Sequence, residues 1–230
     1  MKSAAWLLAG VFGLAVVNTG AVAQVAPSAA EAQGYQGLQQ AAARGDLPRL
    51  KALIAAGADL EARDARGRTA VHIATHARQR ESLRVLAQAG AALDALESDR
   101  YDAVTIASVA DDPATLGVLL SLGASAKQTT SRYDGTALIA AAHLGHDDVV
   151  RQLIAAGAPL DHVNNLHWTA LIESIVLGDG GGRHQRTMDA LLKAGANTAL
   201  ADRQGNTPLQ LARARGFTAM VEQLKAAGAK

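Results

Sequence analysis

Seven histidines, one out-of-pattern carboxylate and a run of glycines are the residues of this chain whose types and spacing could do chemistry. His72 and His76 lie four apart, one helical turn, a spacing that lets two imidazoles share a zinc ion. The residues between them read Ile73-Ala74-Thr75, so the glutamate of a metalloprotease helix is missing. No third ligand follows nearby, and a structural role for His72 is expected. The segment Gly178-Asp179-Gly180-Gly181-Gly182-Arg183-His184-Gln185 has the composition of a phosphate-cradling loop. It lacks the G-x-x-x-x-G-K-[ST] pattern, and no strand precedes it. Glu173 stands alone, with no second carboxylate at a matching position to share acid–base work. The chain has no cysteine, which excludes a thiol nucleophile, a disulfide framework and a thiolate metal site. No G-x-S-x-G nucleophile elbow is present. We therefore expect no catalytic residue, no metal and no cofactor.

The elements that must position these residues are helices. Of 230 residues, 49% are hydrophobic, mostly Ala and Leu, and 3% are aromatic, a composition that favours helix over strand. The formal net charge is +1, so no basic field exists to hold nucleic acid. At the start, Lys2, the apolar run Ala4–Val17 and the tripeptide Ala21-Val22-Ala23 form the three parts of a secretory signal peptide. Cleavage at Ala23-Gln24 removes Lys2 and no acid, leaving 21 basic residues against 21 acidic ones. The expected location is the periplasm, or outside the cell, with no membrane insertion afterwards. Residues 24–37, small and polar, read as a flexible leader.

From residue 38 onward the chain repeats. Gly57, Gly90, Gly123, Gly157, Gly195 and Gly228 follow Leu-rich stretches at intervals of 33, 33, 34, 38 and 33. Thr69, Asp102, Thr136, Thr169 and Thr207 mark helix starts at 33, 34, 33 and 38. One insertion in the same unit explains both long intervals. Each unit holds a capped short helix with small alanines, a turn, and a second helix with paired apolar residues, such as Val149-Val150 and Leu153-Ile154, ended by glycine. Such a pair cannot bury its apolar face alone and must stack on neighbours.

Asp134-Gly135-Thr136-Ala137-Leu138, Ala141-Ala142-His143-Leu144-Gly145-His146 and Leu153-Ile154-Ala155-Ala156-Gly157-Ala158 resemble an ankyrin repeat, and Gly205-Asn206-Thr207-Pro208-Leu209 matches again. The resemblance spans residues 38–230. It implies an all-α solenoid of about six helix–turn–helix units with projecting hairpin loops: a cap at 38–63, units at 64–96, 97–129, 130–162 and 163–200, and a cap at 201–230. It also implies that inner helices and loop tips line a concave face that binds another protein, and that His72 and His146 bond between repeats. Small exported bacterial proteins of this kind suggest an enzyme helper or a toxin-neutralising protein.

Stacking explains the repeated residues, so function is sought in those that break the pattern. Tyr101 and Trp168 occupy equivalent positions just before an inner helix, and Tyr133 lies three before Thr136. Such aromatics offer large contact area at low entropy cost. His143 shares the slot of His76, and Glu173 stands where Ile73, Ile106, Ala140 and Leu211 stand in other units. A carboxylate there needs a partner, and Arg183 or His184 of the glycine-rich insertion is the expected one. The partner-binding set is thus Tyr101, Tyr133, Asp134, His143, Asn165, Trp168, Glu173 and His184, in a monomer. The alternatives are a small-ligand sensor or enzyme built on Glu173, His184 and the glycine loop, and a structural envelope spacer.

Overall fold

The computed structural model describes residues 25–230. The signal-peptide reading falls on residues outside that range. A short helix α1 (Ala29–Gly34) precedes six stacked pairs: α2 (Gly37–Arg44) with α3 (Leu47–Ala55), α4 (Ala70–His76) with α5 (Arg80–Gln88), α6 (Ala103–Val109) with α7 (Pro113–Ser121), α8 (Ala137–Leu144) with α9 (Asp147–Ala155), α10 (Ala170–Val176) with α11 (Gly182–Lys193), and α12 (Pro208–Ala214) with α13 (Thr218–Ala226). Even-numbered helices pack in one layer and the odd-numbered helices from α3 onward in a second.

Local chemistry fixes the boundaries. The side chains of Asp102, Thr136, Thr169 and Thr207 each accept a hydrogen bond from the third backbone N–H of their helix, filling one of the donors a helix start leaves open. At the other end, Gly157 adopts φ 78°, and Ala158 N–H then bonds back to Leu153 O, closing α9 in the left-handed geometry that glycine adopts without strain. One small residue per inner helix, Ala41, Ala74, Ala107, Ala141, Ser174 and Ala212, is almost wholly buried and lets that layer pack closely. Leu50, Leu83, Leu116, Leu153, Leu191 and Leu224, each 0% exposed, fill the gap between layers. Each of these leucines removed from water contributes about 1.5–3 kcal/mol.

Two sequence expectations change. The leader is not free from residue 25 onward. Ser28 and Glu31 form a reciprocal capping box on α1, and Glu31 bonds Arg68 and Arg66 of the first loop. Arg68 also holds the carbonyl of Val25, and Tyr35 donates its hydroxyl hydrogen to Asp64. The small polar residues lack periodicity because their order comes from capping and ion pairs. The insertion is likewise not an open glycine loop. Gly182, Arg183, His184 and Gln185 form the first turn of α11, which runs 12 residues where the other outer helices run nine. Gly178 leaves space for Ser174 O and the His184 ring, and Gly180 (φ 71°) for Phe217, so the glycines serve close packing.

Candidate functional site

Between successive pairs the chain turns through a tight loop whose first polar side chain organises it. Asp64 Oδ1 accepts from Arg66 and Arg68 N–H, Asn164 Oδ1 from Leu166 and Trp168 N–H, and Asp202 Oδ1 from Gln204 and Asn206 N–H. Neighbouring loops are laced together by backbone bonds from Ser98 N–H to Arg66 O, Ser131 N–H to Arg100 O and Asn165 N–H to Tyr133 O. The tips form one continuous edge.

The tip residue, two before each inner-helix cap, needs positive φ. The outermost tips use glycine, Gly67 at 73° and Gly205 at 82°, whereas the three central tips use Arg100 at 65°, Asp134 at 51° and His167 at 64°. A side chain in that region costs about 1–2 kcal/mol. Beside these residues stand the half-buried Tyr101, Tyr133 and Trp168. Arg100 bonds Asp134 at 3.0 Å, and the Arg132 guanidinium lies 6.0 Å from the centre of the Tyr133 ring. Asn165 is exposed but already spans two loops, its side-chain amide donating to Arg132 O.

Behind the tips lies a buried polar cluster. Glu173 on α10 is 5% exposed. Its Oε1 accepts from Asn164 Nδ2 at 2.9 Å, and its Oε2 lies 3.5 Å from His143 Nδ1 on α8. Asn164 replaces the aspartate of the first and last loops, and its amide supplies a donor that a second carboxylate could not. Burial pushes the Glu173 carboxyl up to about 7, opposed only in part by the Asn164 bond. Burial also lowers His143, with His184 and His146 adding to the effect.

The expected bond from Glu173 to the insertion does not form. His184, read from the sequence as a loop residue open to a partner, is 8% exposed. Its Nδ1 faces Asp179 Oδ1 at 2.7 Å and its Nε2 faces His143 O at 2.9 Å. Arg183 reaches Gly145 O and Asp111. No hydrogen bond or ion pair joins Glu173 to His184, because the ring reaches His143 from the outer layer. The reading that assembled Glu173, His184 and the glycines into one site therefore loses its geometry. His72 Nε2 donates to Tyr101 O, and His146 Nδ1 to Ser108 O, as expected of residues that bond between repeats. His162 does the same toward Asp134 O.

Asn164 and the tip residues Arg100 and His167 escaped the sequence reading. Their signal was present: Asn164 breaks the Asp64/Asp202 series, and the tips break the Gly67/Gly205 series. No helix among the described residues is long and apolar enough to cross a membrane.

A two-layer stack of helix pairs with laced loop tips defines a repeat solenoid, in which each unit packs mainly on its neighbours. The chain belongs to the ankyrin repeat family. The family model described as ankyrin repeats (3 copies) matches residues 38–130 and 104–198. The chain is similar to the ankyrin repeat protein YahD of Escherichia coli (strain K12), at 35% identity over 82% of this chain and 94% of that one. It is similar in structure to an ankyrin repeat domain from Acinetobacter baumannii AYE, with 44% identity, a TM-score of 0.79 and coverage of 84% and 98%. The ankyrin repeat domain of Bcl-3, a member of the IkappaB family, aligns at TM-score 0.76 with 27% identity and coverage of 86% and 88%. Ankyrin repeats are in general protein–protein interaction modules, and such domains are typically non-catalytic.

Proposed function

We propose that this chain is a monomeric, non-catalytic binding module of the periplasm that recognises another protein through its central loop tips and the adjoining concave face. Export is supported by the three-part N-terminal pattern of Lys2, Ala4–Val17 and Ala21-Val22-Ala23. The observation that carries the binding surface is the row of central tips. Arg100, Asp134 and His167 hold side chains in left-handed backbone where the outermost tips use glycine, and a half-buried aromatic residue neighbours each. Strain of this kind persists where a surface is kept for use, and Tyr and Trp are the residues that anchor interfaces. Helping a periplasmic enzyme and neutralising an exported toxin are both consistent with this surface.

The test is capture from periplasmic extract with the protein and with two folded variants. Tyr133→Ala/Trp168→Ala alters the loop edge, and Arg49→Ala/Lys51→Ala alters the first outer helix. A partner lost by the first and kept by the second is the expected result. A partner lost only by the second would move the site to the outer layer.

A further inference from the structure

The solenoid offers its own comparison between one loop cleft and another. In the cleft between the first two loops, Arg68, His76, Tyr101 and Ile106 converge with Arg66 and Glu97. The chain's N-terminal segment lies there, its Val25 carbonyl bonded by Arg68. The repeat register carries each of these positions to the cleft between the third and fourth loops. Arg66 becomes Tyr133, Arg68 becomes Gly135, His76 becomes His143, Glu97 becomes Asn164, Tyr101 becomes Trp168 and Ile106 becomes Glu173. An apolar floor is thus replaced by a carboxylate, an inward cation by a glycine, and an arginine flank by a second aromatic ring. At Gly135 the long cationic side chain of the first cleft is absent, and an added Cβ would rest in ordinary contact with Ser131 Oγ at 3.6 Å and Ile139 Cγ2 at 3.8 Å.

The carboxylate at this floor is incompletely satisfied. Asn164 bonds Oε1, while among the described residues Oε2 receives no hydrogen bond and faces His143 Nδ1 at 3.5 Å. The floor position of the other clefts is Ile106, Ala140 or Leu211, so Glu173 answers no requirement of stacking. The repeat register sets Tyr133 and Trp168 beside this carboxylate, and aromatic rings near a carboxylate attract a cation by both the ring quadrupole and direct charge. We propose that this cleft is a receptor for a basic side chain, arginine or lysine, carried on an extended segment of the partner protein, with Glu173 as counter-ion between Tyr133 and Trp168. The proposal rests on the concave-face reading above and specifies its chemistry.

The chain holds two tryptophans, Trp6 and Trp168. With Trp6→Phe, Trp168 is the sole indole fluorophore whether or not the first residues are removed. Titration with N-acetyl-argininamide should give a saturable change, and N-acetyl-citrullinamide, its neutral near-isostere, should bind at least tenfold more weakly. Glu173→Gln, which keeps an acceptor for Asn164, should weaken argininamide binding at least tenfold. Gly135→Arg, which restores the arrangement of the first cleft, should abolish binding in a chain that melts as one cooperative unit. Equal binding of the charged and neutral probes, full affinity in Glu173→Gln, or no saturable response would each overturn the proposal. If the periplasmic partner is still lost on Tyr133→Ala/Trp168→Ala while this titration fails, the binding surface stands and only its assigned chemistry falls.

Discussion

Replacing Glu173 by Gln should stabilise the protein at neutral and alkaline pH and leave it unchanged in acid. The carboxyl is 5% exposed, and its pKa is raised from 4.5 to about 7, chiefly by burial. A tenfold change in proton affinity corresponds to about 1.4 kcal/mol, so the ionised carboxylate costs the folded state about 3 kcal/mol. Because the folded chain holds this proton more tightly than the unfolded one, it binds more protons between pH 4.5 and 7. Stability from this group is therefore full below pH 4.5 and lost as pH rises through 7. His72 and His76, both lowered to about 4 by burial, act in the opposite sense. Their contribution is full above pH 6.5 and lost as pH falls toward 4. The two trends cross, so the unfolding curve of the protein alone does not isolate Glu173. The difference between Glu173→Gln and the parent does. Urea unfolding followed by circular dichroism at pH 4, 6, 7 and 8.5 should give a difference near zero at pH 4. It should rise to about 3 kcal/mol in favour of the variant at pH 8.5. A flat difference would mean that burial does not shift the group. A variant less stable than the parent at pH 7 would mean that Glu173 and His143 form a stabilising ion pair across their 3.5 Å separation, and the reasoning would fail.

Other perturbations follow from the same geometry. Gly178→Ala places a Cβ 2.1 Å from Ser174 O, so helix α10 or the turn must shift, and thermal unfolding should show a loss of about 2 kcal/mol or more. His167→Gly removes a side chain held at φ 64°, and after the entropy cost of glycine a gain of about 0.5–1 kcal/mol in urea unfolding is expected. Glu31→Ala removes both the N-cap partner of Ser28 and the ion pairs to Arg66 and Arg68. Hydrogen exchange should then quicken across Ala29–Gly34 while the helices from α4 onward keep their protection.

What the sequence revealed depended on whether a residue's role repeats. The cap at Thr136, the terminating Gly157 and the alanine column recur from unit to unit, so their periodicity exposed the pairs, their boundaries and the interlayer core. Glu173 was visible for the converse reason, as a carboxylate in a column of apolar residues. Its partners were not visible, because they lie across a loop and a neighbouring helix. Asn164 is nine residues away and His143 thirty, and only the folded register brings them to one carboxylate. His184 misled because the glycines around it read as slack chain, whereas Gly178 and Gly180 let the backbone pass Ser174 O and Phe217, and Gly182 starts α11 early. The α1 segment was missed because a capping box and an ion pair to Arg68 order it without any apolar stripe.

Among the loop tips the departures from ideal stacking fall on the central ones, and their signs argue for use. Glu173 costs stability when ionised, and Arg100, Asp134 and His167 each hold a left-handed tip. At the outermost tips the same positions carry Gly67 and Gly205, and the equivalent floor residues elsewhere are apolar. A chain selected for stacking alone would repeat the less strained residue in the middle, where each unit has two neighbours to support it. Instead the central tips carry side chains in left-handed backbone and the buried carboxylate lies behind them, supported by their neighbours on both sides. Stability and binding should therefore move in opposite directions at these positions. Glu173→Gln should be the more stable protein above pH 7 and the poorer binder of a basic side chain, a pairing of outcomes that a purely structural role for the cluster does not produce.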